Sequence, residues 1–375
     1  MDYSNEVIRI VEGALKSDKV KVSSYTKLLI DKLTENGEMR LAKTFEKLMK
    51  NDNKVTQMSV GDVMKIPIDQ ESRLPMADAY YPHNDSIDVI LNSSANNQIE
   101  KFITYTRNTN KLLNSGITVP NSIILFGPPG CGKSRAATYI SDRTKLPLVT
   151  ARLDTMISSY LGSTSKNIRA IFEYAKSTPC ILFLDEFDAI AKVRDDNNEL
   201  GELKRVVNSL LQNIDRLKNG SIIVAATNHE HLLDPAVWRR FGFKINVDLP
   251  DVESRKRLVD LFLQGNGFSA KDLEIASAVT MGSSGADIEE ICNKTSIDSI
   301  LSDKEISISS FLESVFDFNG ICDGNDDNVS KKQRLSSKAR FLRSIDEKLF
   351  SYSQIASLLG FSKTYVSNLV KEAGD

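Results

Sequence analysis

Residues 1–55 carry apolar side chains at helical spacing. Val7, Ile10, Val11 and Ala14 make one stripe, and Leu41, Phe45 and Leu48 make another after the Asn36-Gly37 break. The pattern predicts a small N-terminal helical domain, a hairpin or three-helix bundle. From 56 to 84 the regularity lapses among Pro67, Pro75 and Pro82, and a linker is expected. Between 85 and 250 the period changes. The short apolar runs Ser122–Phe126, Cys180–Leu184 and Ser221–Ala226 read as strands buried on both faces. They alternate with helical stretches such as 165–175, where Ile168, Ile171, Phe172 and Ala175 share a face. Such alternation predicts an α/β core, a parallel sheet covered by helices on both faces. Residues 251–318 read as helical throughout, 319–335 as a polar, turn-rich linker, and 336–375 as a helix-turn-helix-like domain. In that tail Ile355, Leu358 and Leu359 line one helix and Val366, Leu369 and Val370 the next. Gly360 makes the turn and Ser362 is a candidate N-cap.

Candidate chemistry sits at the ends of the predicted strands. Directly after Ser122–Phe126 comes Gly127-Pro128-Pro129-Gly130-Cys131-Gly132-Lys133-Ser134, followed by Arg135 and a helix. A strand running into this turn and then a helix is the context a phosphate-binding loop requires. Glycines let successive backbone N–H groups curl around phosphate oxygens, Lys133 reaches the terminal phosphates, and the Ser134 hydroxyl suits Mg²⁺. The start of the helix adds its positive dipole end. Residues 127–135 are therefore the nucleotide-binding candidates, and ATP with Mg²⁺ the expected ligand.

The next strand ends in Asp185-Glu186, where open α/β sheets place their ligands. Asp185 is placed to hold Mg²⁺ through water, as a metal ligand beside Ser134. Glu186 is the candidate base that deprotonates the attacking water. The third strand ends in Thr227-Asn228, and a polar Asn at such a tip can sense a γ-phosphate and help place the water.

Composition narrows the setting. At 375 residues the chain exceeds one typical domain, and its formal net charge of −2 predicts no global attraction to nucleic acid or an anionic membrane. The four cysteines, at 131, 180, 292 and 322, lack metal-ligand spacing, so reduced thiols and a cytoplasmic home are expected. No apolar stretch reaches membrane-spanning length, and a soluble protein without a membrane partner follows as an expectation. No His-Glu-x-x-His occurs, so any proteolysis would need a partner protein.

The order of these motifs carries a resemblance. The phosphate loop, Asp185-Glu186, Asn228 and then Leu233-Asp234-Pro235-Ala236-Val237-Trp238-Arg239-Arg240-Phe241 resemble an AAA+ ATPase module of the protein-remodelling clade, which includes katanin, spastin and the bacterial membrane-anchored proteases. The resemblance covers roughly residues 85–318. It implies a homo-oligomeric ring, usually a hexamer, with each ATP site at a subunit boundary. Arg239 and Arg240 match the family's arginine fingers, which act in the neighbouring subunit's site. The usual Arg-Pro-Gly-Arg-Phe spelling is altered here, which leaves open which arginine dominates. Tyr160-Leu161-Gly162 stand where relatives carry a pore loop that grips a protein substrate. Gly282 to Ile288 resemble the clade's lid-helix signature, in which Gly285 and Ala286 let backbone approach adenine and ribose. Relatives also carry adaptor- or substrate-binding helices N-terminal to the ring. Some bacterial ATPases of similar layout act beside a separately encoded subtilisin-like protease, which makes such a protease a partner to test.

The tail adds a second theme. Residues 331–375 hold nine Lys or Arg against four Asp or Glu, so this segment is basic although the chain is not. By analogy with DNA-binding helix-turn-helix units, Ser362, Lys363, Thr364, Ser367 and Asn368 would face a major groove. Three functions therefore stay open: a motor that remodels protein substrates, a DNA-associated ATPase targeted by the tail, and an assembly scaffold switched by nucleotide.

Overall fold

The structure is a computed structural model that describes residues 19–35, 38–50, 66–69, 73–82, 89–152, 161–189, 202–217, 221–233, 235–265, 268–321 and 331–371, with Val7, Ile10 and Val11 besides. Helices α1 (Lys19–Glu35) and α2 (Met39–Lys50) pack on each other. Leu29, Ile30 and Leu33 meet Ala42 and Phe45, with Ile10 alongside, while Leu41 is exposed. Phe45 packs inward as expected, but Ala42 takes the inward place expected for Leu41.

Six strands follow: β1 (Ala77–Tyr80), β2 (Ser122–Phe126), β3 (Leu148–Ala151), β4 (Ile181–Leu184), β5 (Ile222–Thr227) and β6 (Phe243–Asn246). They form one sheet in the order β1-β3-β4-β5-β2-β6. The β3–β4 and β4–β5 pairs are parallel, and β1 runs antiparallel to β3 at the edge. Between the strands lie α3 (Ser93–Arg107), α4 (Thr109–Asn114), α5 (Lys133–Thr144), α6 (Leu161–Ser177), α7 (Glu202–Arg216) and the short α8 (Pro235–Trp238). The later helices are α9 (Val252–Phe262), α10 (Ala270–Val279), α11 (Gly285–Ser302), α12 (Ile308–Phe318), α13 (Lys331–Ile345), α14 (Tyr352–Leu359) and α15 (Lys363–Lys371). Among the described residues no helix is long and apolar enough to cross a membrane. Strand β1 lies inside the stretch expected to be a linker. Flanking prolines hide it in the sequence, because an edge strand tolerates them where a central strand does not.

The chain forms two compact units. The first comprises residues 1–87, 102–125 and 134–244. Its core joins Ile124, Val149, Leu182, Leu184, Ile223 and Ala225 of the sheet to Ile168, Ile171, Phe172 and Ala175 of α6 and to Leu210, Leu211 and Ile214 of α7. Strands β4 and β5 are buried along their whole length, which is why their sequences show no polar alternation.

The second unit comprises residues 88–101, 126–133 and 245–375. Asp251 caps α9 by accepting from the Ser254 N–H, and it also accepts from the Ser93 N–H and hydroxyl at the start of α3. Burial alone would raise the Asp251 carboxyl, but these hydrogen bonds outweigh it and hold it well below the usual carboxylate range. Ser269, Ser284 and Ser307 cap the next three helices with reciprocal capping boxes. The tail does not stand apart. Helix α13 begins inside the stretch expected to be a linker, and Ala339, Leu342, Phe350, Ile355 and Val366 share one apolar cluster with Val259, Ile275, Ile291, Phe311 and Phe316. A segment of about 40 residues buries too little apolar surface to stand alone, so the tail completes its core on the preceding helices.

Candidate active site

The second unit includes the loop that follows β2, and the glycines of this loop are sterically required. Gly127 has φ 135°, and a Cβ there would lie 2.4 Å from the Val247 carbonyl oxygen. Gly130 has φ 72°, and its Cβ would lie 2.5 Å from Ser284 Oγ and 3.0 Å from Ala286 Cβ. The close approach has a purpose: the Ala286 N–H donates to the Gly130 carbonyl at 3.1 Å. Gly285 and Ala286 thus open α11 against the backbone of the phosphate loop. The buried Lys133 ammonium donates to the Gly127 and Pro128 carbonyls at 2.8 and 2.7 Å. Burial pushes the Cys131 thiol up, despite the opposing influence of Lys133, and so disfavours a reactive thiolate inside the loop.

In the first unit, Ser134 Oγ donates to Asp185 Oδ2 at 2.8 Å. Two hard oxygen donors side by side suit Mg²⁺, which takes one or two protein ligands and otherwise keeps its waters. The other Asp185 oxygen accepts from the Glu186 N–H at 2.9 Å. Glu186 itself has φ 49°, a left-handed backbone that is uncommon for a residue with a Cβ. A conformation of this kind costs about 1–3 kcal/mol and persists where its surroundings fix it. Phe187 supplies the restraint: its N–H donates to the Ala226 carbonyl at 2.8 Å, and its buried ring meets Phe241 edge-on at 5.9 Å. The turn therefore presents Glu186 to solvent on a fixed base.

Asn228 is half-buried at the tip of β5, which lies beside β4 in parallel register. Two residues missed at the sequence level hold this tip. Thr227 Oγ1 donates to the buried Asp188 carboxylate at 3.0 Å and accepts from the His229 N–H at 3.0 Å. Asp188 stands two positions after Glu186, and that third carboxylate was the available signal.

The two arginines differ. Arg240 donates through Nε to Asp215 at 3.1 Å and through Nη1 to the Ala236 carbonyl at 2.8 Å. Arg239 is exposed, and its guanidinium has no partner among the described residues. Arg135 is exposed on α5. Tyr160 lies outside the described residues, and Leu161 and Gly162 form the first turn of α6. Ser362, Lys363, Thr364, Ser367 and Asn368 gather around the start and outer face of α15.

Residues 123–249 match the family described as ATPase family associated with various cellular activities (AAA). An AAA family ATPase of Sinorhizobium fredii, y4kL, is 35% identical over 266 residues, 71% of this chain and 80% of that protein. The chain belongs to the AAA family of ATPases. This AAA ATPase is also 32% identical to the ATP-dependent zinc metalloprotease FtsH of Parabacteroides distasonis, over 55% of its own length and 31% of FtsH. It is 32% identical to the proteasome-activating nucleotidase of Methanothermobacter thermautotrophicus, over 55% of its own length and 52% of the nucleotidase. It thus spans about half or less of the length of these two relatives. The crystal structure of the FIGL-1 AAA domain has the same fold, with a TM-score of 0.56 at 20% identity, covering 78% of this chain and 97% of that one. ATP hydrolysis is therefore the activity of the chain, within the protein-remodelling clade of AAA+ ATPases.

Two substitutions separate binding from hydrolysis in this AAA ATPase. Glu186→Gln is expected to bind a fluorescent ATP analogue like the parent while kcat falls by about 10²–10⁴-fold. Gly130→Ala is expected to lose at least about tenfold in affinity, or about 1.4 kcal/mol, because its Cβ collides with Ser284 and Ala286. A Glu186→Gln enzyme at parental turnover, or a Gly130→Ala enzyme at parental affinity, contradicts these roles.

Proposed function

We infer that this AAA ATPase acts as a homo-oligomeric ring, a hexamer by family resemblance, in which each copy completes its neighbour's ATP site and turnover remodels a protein substrate. The observation that carries the reading is the contrast between the two arginines. Arg240 is committed to Asp215 and to the Ala236 carbonyl of α8, whereas Arg239 is exposed and its guanidinium has no partner among the described residues. An exposed cation beside a restrained one fits a group that works on another molecule. Arg239 is the dominant finger in this reading, and Arg240 sets the direction of the segment that carries it.

The chemistry follows from the residues. Backbone N–H groups of 127–134 and the Lys133 ammonium hold the phosphates, with Gly285 and Ala286 beside the nucleoside. Glu186 accepts a proton from the water that attacks the γ-phosphorus, and the bond to the ADP oxygen breaks as the new P–O bond forms. Asn228 orients that water, and its position is supported by the Thr227–Asp188 hydrogen bond. A Mg²⁺ held by Ser134 and Asp185 would neutralise charge on the β- and γ-phosphate oxygens. Arg239 of a neighbouring copy neutralises charge developing on the transferred group, an effect worth about 10³–10⁵ in rate in other nucleotide hydrolases.

Remodelling is supported by relationship to FtsH and the proteasome-activating nucleotidase, and Tyr160 is the residue proposed to grip the substrate. A separately encoded protease is a candidate recipient of the unfolded chain. Tyr160→Ala is expected to keep basal turnover but lose its stimulation by an unfolded probe such as denatured casein. Stimulation that survives the substitution contradicts threading.

Subunit complementation tests the shared site. Glu186→Gln and Arg239→Ala proteins should each be nearly inactive alone, one lacking the base and the other the finger. Mixed in equal amounts they should regain turnover at roughly a quarter of all sites by random pairing in a ring. Arg240→Ala should lose less than about tenfold, as expected for a partly exposed pair with Asp215. A mixture as inactive as its components contradicts the reading.

A further inference from the structure

The geometry points to a duplex-DNA docking surface on the tail, formed by the outer face of α15 and the start of α14. This inference goes beyond ATP hydrolysis and does not depend on threading. Helix α14 ends at Gly360 in a left-handed conformation, and the Phe361 N–H closes the turn on the Ala356 carbonyl at 2.9 Å. Ile355, Ala356 and Leu358 from α14, with Val366 and Leu369 from α15, are buried beneath the turn. The two helices are therefore fixed against the core. What α15 turns outward is polar, with Lys363, Thr364, Asn368 and Lys371 all exposed beside Ser362.

Charge decides the kind of partner. The tail's basic excess is only partly available: Lys338 pairs with Glu313 and lies over Phe316, and Arg343 bonds Glu347 and lies over Tyr352. Lys348 is exposed beside Asp346, whereas Lys363 and Lys371 are exposed with no partner for their ammonium groups among the described residues. Between Glu347 and Glu372 the chain contains no carboxylate. An acid-free stretch that exposes Lys363 and Lys371 is complementary to a polyanion. Its outward Ser, Thr and Asn side chains offer short donors and acceptors to phosphates and base edges. One projecting helix about 10–12 Å across matches a major groove about 12 Å wide. At its start, the Phe361 and Tyr365 rings lie 5.7 Å apart and are partly exposed, offering apolar contact of the kind thymine methyl groups accept.

The test uses the full chain and a fluorescein-labelled, mixed-sequence duplex of about 30 base pairs, long enough for several helical turns. Fluorescence anisotropy is read between about 50 and 200 mM salt. Binding is expected to weaken along a straight line of log affinity against log salt. The Lys363→Glu, Asn368→Ala double variant should lose at least about tenfold in affinity while thermal unfolding and ATP turnover stay parental. Lys371→Gln should flatten the salt slope by about one unit if it contacts a phosphate. Absence of salt-dependent binding, or a double variant that binds like the parent, overturns the proposal. So does an acidic polyglutamate peptide that binds through Lys363 while the duplex does not. Because turnover is recorded on the same samples, failure of DNA binding is distinguishable from failure of the ATPase.

Discussion

One backbone hydrogen bond, from the Ala286 N–H to the Gly130 carbonyl, holds the phosphate loop against the first turn of α11. Its geometry leaves no room for a side chain on Gly130, and a Cβ on Gly285 would come within 3.2 Å of the same carbonyl oxygen. Two distant sequence signatures, one in the loop and one in the lid, are therefore halves of a single contact. The contact depends in turn on the capping box of Ser284 and Asp287, which fixes how α11 begins. The same compact unit contains the tail, whose apolar side chains share the core under α10, α11 and α12. The candidate phosphate loop and the α14–α15 helix pair are thus joined through one packed body. Because packed cores do not deform continuously, a shift at one end has a route to the other.

The hydrolytic residues are arranged differently. Glu186 occupies an unfavourable backbone conformation, and neighbours on both sides hold it there: Asp185 bonds its N–H, and Phe187 is anchored by β5 and Phe241. Phe241 directly follows Arg240, so the base-bearing turn and the arginine segment share an aromatic contact within one copy. A substitution in that pair would disturb both the turn that carries Glu186 and the segment that carries Arg239 and Arg240. The buried Asp188 serves the third element by tying Thr227 next to Asn228. The ends of β4 and β5 are thus braced by Phe187 and Asp188, which are both buried.

Much of this was legible in the sequence where chemistry dictates spacing. Buried parallel strands need unbroken apolar runs and tight loops need glycine, so β4, β5 and the left-handed turns at Gly127, Gly130 and Gly132 could be read directly. The helical face Ile168, Ile171, Phe172 and Ala175 was equally readable, because each side chain is buried against the sheet. Other features depend on contacts between distant residues that no local pattern encodes. Strand β1 hid between prolines at a sheet edge. The ranking of Arg239 over Arg240 rests on Asp215, which lies 25 residues away. An amphipathic helix announces that it has an inner face but not which elements it covers, so the tail's sharing of the lid core became visible only in three dimensions.

The Ala286–Gly130 hydrogen bond and the core shared by lid and tail predict that loop, lid and tail respond to nucleotide as one body. Hydrogen exchange at backbone amides, measured on the Glu186→Gln protein with and without ATP, tests it most directly. Protection is predicted to rise together in the first turn of α11 and in α13 and α15. A first turn of α11 that responds while α13 and α15 exchange at unchanged rates would contradict it.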